Sequence, residues 1–154
     1  MDLPKTAHIE IRPATPEDWP SIAALLAELG RPDVRGDARE DEHRALFVQY
    51  LQRADTLALV GVRGRRVVGF VDMEYRPRLN HLMPQAWIPD LIVAEAERGA
   101  GVGKALLGRA EELARERGCW SITLESANWR RDAHRFYVRE GWTDAAKSFG
   151  KQFD

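Results

Sequence analysis

"RGAGVGKALL", residues Arg98 to Leu107, places three glycines and a lysine within seven positions, and an apolar run follows. Glycines let a backbone approach a ligand closely, and the unpaired N–H groups at the start of a helix favour anions. The stretch therefore predicts a phosphate-binding loop that leads from a strand into a helix.

The Walker A loop of nucleoside triphosphatases is the first candidate for this stretch. That motif requires G-x-x-x-x-G-K-[ST], and Gly103 and Lys104 supply its second glycine and its lysine. Arg98 stands at the first glycine position, and Ala105 stands where a hydroxyl would bind magnesium. The motif therefore fails at two positions.

The dinucleotide fingerprint G-x-G-x-x-G is the second candidate. Counted from Gly99, its third glycine falls on Lys104, and counted from Gly101 it falls on Leu106. What remains is R-x-x-G-x-G, from Arg98 to Gly103, an anion cradle of a different kind.

A second motif lies downstream, in "LESANWRRDAHRFYVREGW", residues 124–142. It contains Asn128, Ala133, Tyr137 and Gly141 at ordered spacing. Together with "RGAGVG", it resembles the GNAT superfamily of N-acetyltransferases, which pairs a Q/R-x-x-G-x-G/A loop with a later N…A-x-x-F/L-Y-x-x-x-G-F segment. The resemblance is strongest from Trp87 to Trp142, and Trp142 replaces the usual Phe.

The resemblance implies acetyl-CoA as the acetyl donor. It implies that a strand binds the pantetheine arm through its backbone, here Leu91, Ile92 and Val93, and that Asn128 and Tyr137 bind the cofactor. The pyrophosphate would be held by the loop Arg98, Gly99, Ala100, Gly101, Val102, Gly103 and Lys104. Pro89 predicts a bulge in the preceding strand, which resembles the splayed strand that opens the family's thioester slot.

Two catalytic residues are predicted. Tyr137 matches the family tyrosine that protonates the departing CoA sulfur. Asp90 is the predicted base that relieves the acceptor ammonium of its proton, with Glu125 and Glu74 as alternatives. The N–H of Leu91 is predicted to polarise the thioester carbonyl.

The resemblance thus implies an acetyl-CoA-dependent N-acetyltransferase that acts on a primary amine of a small molecule or peptide by direct attack in a ternary complex. The alternative is a non-catalytic acyl-CoA-binding sensor or interaction domain of the same fold. Trp87 is predicted to be a packing residue. The acceptor and the oligomeric state stay open, and a homodimer is one possibility because many members of the family that the sequence resembles are dimers.

Composition narrows the class of protein. The 154 residues include 44% hydrophobic and 31% charged residues, with a formal net charge of −1. This balance gives no basic field for nucleic acid. The single cysteine, Cys119, excludes an internal disulfide and suits a reducing compartment. Apolar runs are too short to span a bilayer. We expect a cytoplasmic protein with no metal and no membrane or nucleic-acid partner.

The predicted fold is an α/β domain of the α+β type, a single GNAT-like domain over residues 1–154. It has a mixed twisted sheet, flanking helices and a splayed central strand pair. Strands are expected at 8–15, in a 56–75 hairpin, as one strand over 86–93 and at 119–126. Helices are expected after the N-cap Thr15 and over 40–54, 102–117 and 130–141. Leu46, Phe47, Tyr50 and Leu51 are the predicted buried stripe of the second helix, and residues 142–153 are predicted to form a last strand or hairpin.

Overall fold

The computed structural model describes residues 8–153, which contain six strands and four α-helices. Their order along the chain is β1, α1, α2, β2, β3, β4, β5, α3, β6 and α4. The bounds are β1 Ile9–Pro13, α1 Trp19–Glu28, α2 Glu40–Gln52, β2 Thr56–Arg63, β3 Arg66–Arg76, β4 Gln85–Ile88, β5 Leu91–Val93, α3 Val102–Glu116, β6 Ser121–Leu124 and α4 Arg131–Arg139. The predicted ends of the domain, residues 1 and 154, lie outside the described residues.

Contacts divide the chain into two units, Met1–Thr123 and Leu124–Asp154. The first unit holds the sheet, in which β1, β2, β3 and β4 are neighbours in chain order and β6 lies beyond β4. The β2–β3 pair is the predicted hairpin, and β1 is antiparallel to β2. This arrangement confirms the predicted mixed α/β fold.

The two faces of the sheet pack against different helices. Phe70 of β3 belongs to a buried apolar cluster with Trp19 and Ile22 of α1 and Phe47 of α2. Side chains alternate along a strand, so even-numbered residues of the second half of β3 face α1 and α2. Gly69 lies on the opposite face, where a Cβ would come within 2.8 Å of α3 side chains. The sheet is therefore enclosed between α1 and α2 on one side and α3 on the other.

The second helix corrects part of the predicted stripe. Phe47 is buried, and Tyr50 and Leu51 are partly buried, but Leu46 is 64% exposed. Successive residues of a helix lie 100° apart, and the buried face of α2 is too narrow to include both Leu46 and Phe47. The predicted first helix is also shorter, because Pro16–Asp18 form a 3-10 turn before Trp19.

Two further predictions about strands were wrong. The single strand expected over 86–93 is two strands, β4 and β5, separated by Pro89 and Asp90. No strand or helix is present in residues 142–153, where a last strand or hairpin was expected. That segment carries one β-branched residue, Thr143, and lacks apolar–polar alternation, so little favours an extended pairing. No helix within residues 8–153 is long and apolar enough to cross a membrane.

Candidate active site

The break between β4 and β5 contains one extra residue. Both strands pair antiparallel to β3, with Trp87 opposite Glu74 and Leu91 opposite Val71. Three residues separate Trp87 from Leu91, but only two separate Glu74 from Val71. Two residues against one is the definition of a β-bulge, and this one lies at the predicted position, around Pro89.

Asp72 closes the bulge from β3. Its backbone N–H donates to the carbonyl of Asp90 at 3.1 Å. In return, the N–H of Asp90 donates to the Asp72 side chain, with Oδ1 at 2.9 Å. An oxygen of the Asp72 side chain thus takes the place of the backbone acceptor that the extra residue displaces, and it fixes the Pro89–Asp90 peptide.

The backbone N–H and C=O groups along β5 point alternately toward β3 and toward the outer edge of the strand. The Asp90 carbonyl and the Ala94 N–H bond to β3, the latter to the Val68 carbonyl at 2.8 Å. Bonding groups alternate along an antiparallel strand, so the N–H and C=O groups of Leu91 and Val93 point away from β3. Among residues 8–153, β5 pairs with β3 alone, whereas β6 pairs with β4. The sheet therefore splits after β4, and the outer edge of β5 is open.

Asp72 is the residue that the sequence analysis missed. It is 9% exposed, and burial, with the nearby charge of Asp90, raises its pKa to about 8. The hydroxyl of Tyr50 is also buried and interacts electrostatically with Asp72, and burial raises the pKa of Tyr50 as well. The available signal was a lone acid inside a run of otherwise apolar, buried strand residues, "VVGFVDM".

Asp90 lies at the bulge, and one of its carboxylate oxygens is hydrogen-bonded to Arg31. Arg31 donates to its Oδ1 from both Nε at 3.3 Å and Nη2 at 3.0 Å. Oδ2 accepts no hydrogen bond from the residues described, and the side chain is 18% exposed. Asp90 therefore offers a free acceptor oxygen one residue before Leu91.

The alternative acids lie elsewhere. Glu74 is on the same face of β3 as Asp72, and its carboxylate is 4.0 Å from the guanidinium of Arg53. Glu125 is exposed and belongs to the second unit. Within the first unit, Glu74 does not lie next to the open peptide of the bulge, whereas Asp90 does.

The glycine-rich loop forms a cradle of free amides. Gly99 and Gly101 have φ of +82° and +86°, the left-handed region that glycine adopts without strain. The first hydrogen bond of α3 is donated by Ala105 to the Gly101 carbonyl at 3.0 Å. Residues 102–104 therefore have no acceptor within the helix, and a Cβ built at Gly101 meets nothing within 4 Å.

A buried ion pair holds the start of this loop. Arg63 of β2 donates from Nε to Oε2 of Glu97 at 3.0 Å, and both side chains are under 10% exposed. The carbonyl of Glu97 in turn accepts from the N–H of Ala100. On the other side of the loop, Gly69 lets α3 pack directly on β3. The cradle is thus attached to the sheet at both ends.

The second unit carries Tyr137 on α4. Its ring packs against Phe136 at 5.3 Å and Trp142 at 5.8 Å between centroids. Burial raises the pKa of Tyr137, so the phenol keeps its proton at neutral pH. Asn128 is exposed in the loop before α4. Within the part of the chain described, no group of three or more His, Cys, Asp or Glu residues could hold a metal ion.

Comparison with known proteins adds a family and relatives. Residues 19–142 match the model of the acetyltransferase (GNAT) family. The aminoalkylphosphonate N-acetyltransferase of Salmonella typhimurium is 34% identical over 142 residues, which cover 92% of this chain and 90% of that protein.

Solved structures share the fold. A protein titled a transcriptional regulator from Bacillus halodurans C-125 superimposes with a TM-score of 0.86 at 26% identity, covering 95% of this chain and 100% of its own. An AAC(6')-Iy solved with the bisubstrate analogue CoA-S-monomethyl-acetylneamine has a TM-score of 0.79 at 18% identity, covering 96% and 99% of the two chains.

Proposed function

Because the chain belongs to the GNAT family of acetyltransferases, we propose that it transfers the acetyl group of acetyl-CoA to a primary amine of a small molecule or peptide. Members of this family generally use acetyl-CoA. The observation that carries the proposal is two sets of free backbone groups, the cradle at residues 102–104 and the open edge of β5, which together form the proposed cofactor track.

The track suits the two recognisable parts of coenzyme A. Amides at a helix start bind phosphate oxygens, so the loop from Arg98 to Lys104 would hold the pyrophosphate. The pantetheine arm contains two amides, and the free N–H and C=O groups of Leu91 and Val93 can pair with them as another strand would. The side chain of Ile92 packs in the buried cluster around Phe70 and so keeps β5 in register with β3. The thioester would then lie at the bulge.

The residues at the bulge supply what the reaction needs. An alkylamine with a pKa of about 10.4 is almost entirely protonated at pH 7, which costs roughly 4–5 kcal/mol. Oδ2 of Asp90 would accept this proton, directly or through water, and the Leu91 N–H would stabilise the oxyanion. The amine nitrogen bonds to the thioester carbon to give the oxyanion, and the C–S bond breaks as the oxyanion collapses. Tyr137 would donate its proton to the leaving thiolate, and the second proton lost by the nitrogen would restore the phenol through water. Asn128 completes the proposed cofactor contacts.

The proposal includes a single domain over residues 1–154, supported by a family match that runs through both units. A non-catalytic sensor is not favoured, since the curated relatives are enzymes. Cytoplasmic location and homodimeric assembly stay predictions.

The test is a thiol-release assay with acetyl-CoA and a panel of primary amines. Direct transfer predicts intersecting initial-velocity patterns when both substrates are varied, and an unmodified enzyme by mass spectrometry after incubation with acetyl-CoA alone. Parallel lines together with an acetylated Cys119 would contradict direct attack, and binding of acetyl-CoA without turnover on any amine would restore the sensor.

A further inference from the structure

Two buried hydrogen-bond donors near the far end of β3 have no acceptor. The Nε of Arg76 is buried and makes no hydrogen bond, and neither does the indole Nε1 of Trp87. Among residues 8–153, no carboxylate forms an ion pair with Arg76. Buried polar groups are nearly always paired, so this pair of groups requires an explanation.

The two side chains form one surface. The guanidinium of Arg76 lies over the Trp87 ring, 4.6 Å from its centroid. This cation–π contact holds the guanidinium against an aromatic ring. Arg and Trp side chains donate hydrogen bonds and accept none, so the missing partner must bring acceptor oxygens. An anion fits both the charge of Arg76 and the donors.

The position separates this surface from the cofactor track. Val68 bonds to β5 near the cradle, and Asp72 marks the bulge. Arg76 lies four residues beyond Asp72, about 13 Å farther along the strand at 3.3 Å per residue. A group held by Arg76 is therefore on the side of the bulge away from the cradle, from which the acceptor must approach the thioester.

The same sheet face carries the acids. Trp87 stands opposite Glu74, and Asp72 precedes Glu74 by two residues on that face. Asp90 comes three residues after Trp87, about 10 Å along the strand. A cationic amine beside Asp90 and an anionic group beside Arg76 would each meet opposite charge.

We infer that Arg76 and Trp87 bind an anionic end group of the acceptor, a phosphonate, phosphate or carboxylate, so that the preferred acceptors are zwitterionic ω-amino acids or their phosphorus analogues. This inference rests on the proposed function, because it assigns the acceptor end of the same site. Arg76 and Trp87 are specificity residues and take no part in proton transfer.

The experiment compares acceptors that differ only in the end group. Thiol release is measured with aminoalkylphosphonates, amino carboxylates, amino alcohols and diamines of matched chain length. We expect the anionic acceptors to have the highest kcat/KM. The order of phosphonate and carboxylate identifies the preferred anion, and the chain-length optimum reports the distance to the thioester.

Variants assign the preference to the two residues. Arg76→Gln should lower kcat/KM for anionic acceptors about 10- to 100-fold through KM, since hydrogen bonds to a charged group are lost, and leave amino alcohols unchanged. Trp87→Phe retains a smaller aromatic ring and removes the indole N–H, so it should cause a smaller loss confined to the same acceptors. Arg66→Gln, at the exposed opposite end of β3, is the matched control and should behave as wild type.

The outcomes separate this inference from the proposed function. Equal loss for anionic and neutral acceptors in Arg76→Gln, or a wild-type preference for diamines or amino alcohols, would overturn the anion site while leaving acetyl transfer intact. The binding readout is calorimetric titration of an aminoalkylphosphonate into the protein with CoA. Binding that Arg76→Gln abolishes, without turnover on any amine, would support the anion site and refute the proposed function. Absence of such binding in the wild type would refute the anion site.

Discussion

Asp72→Asn should remove a pH dependence of stability that the wild-type protein carries. The Asp72 pKa is raised from 3.8 to about 8 by burial and by the nearby charge of Asp90. Glu74 on the same strand adds to the shift, while the hydrogen bond from the Asp90 amide and the interaction with the Tyr50 hydroxyl oppose it. The native protein therefore keeps a proton on Asp72 that the unfolded chain releases above pH 4.

The sign and size of the effect follow from this difference. Because the unfolded state binds fewer protons, the free energy of unfolding falls as the pH rises from about 4 to 8 and is level above that. At about 1.36 kcal/mol per pKa unit, the loss is at most about 6 kcal/mol. The amide introduced by Asp72→Asn does not titrate, and its oxygen can still accept from the Asp90 N–H. The variant should match the wild type near pH 4 and exceed its stability by a margin that grows up to pH 8.

Urea unfolding followed by tryptophan fluorescence between pH 5 and 9 measures both curves. Asp55→Asn is the control, because Arg53 lowers the pKa of this exposed acid, and its contribution is lost only in the acid range. The control should therefore keep the wild-type slope. A wild-type protein with equal stability at pH 5 and 8, or an Asp72→Asn variant with an unchanged slope, would refute a proton held at Asp72.

Three further predictions concern the cradle, the leaving group and the packing of α3. Gly101→Leu should weaken CoA binding at least 10-fold by calorimetry. The control is Gly118→Leu, which has a similar φ of +85° and open space around it, so it should suffer only the backbone strain and keep its affinity for CoA. Equal CoA affinities in the two variants would contradict the role of the cradle. Tyr137→Phe should lower kcat by about 10²–10⁴-fold with unchanged acetyl-CoA affinity, and a wild-type rate would exclude the general acid. Gly69→Ala should lower the unfolding free energy by about 1–3 kcal/mol, because its Cβ would lie 2.8 Å from Val102 and Leu106 side-chain carbons. The control is Gly108→Ala, in open space on α3, which should stabilise the protein by roughly 0.5–1 kcal/mol in the same melts. A Gly69→Ala variant as stable as the wild type would show that α3 can move away.

The sequence predicted those features that depend on local chemistry. Glycine spacing revealed the cradle, and Pro89 revealed the bulge, since both residue types act through their own backbone. The role of Asp72 could not be predicted, because it depends on a partner 18 positions away and the neighbouring residues have the pattern of an ordinary buried strand. The exposure of Leu46 also depends on tertiary context, namely how wide a face of α2 meets the sheet. Arg76 and Trp87 could not be paired from sequence, since strand register alone brings them together.

The extra residue between β4 and β5 also determines which face of the sheet each later side chain of this segment points to. In an uninterrupted register, Asp90 would stand opposite Val71 and face the apolar layer beneath α3. Placing an unpaired carboxylate there would cost several kcal/mol or more. The additional position turns Asp90 to the face that holds Arg31 and Asp72, and it sends Ile92 into the cluster around Phe70. A single inserted residue thus sorts one acid and one aliphatic side chain onto the sides of the sheet where each is stable.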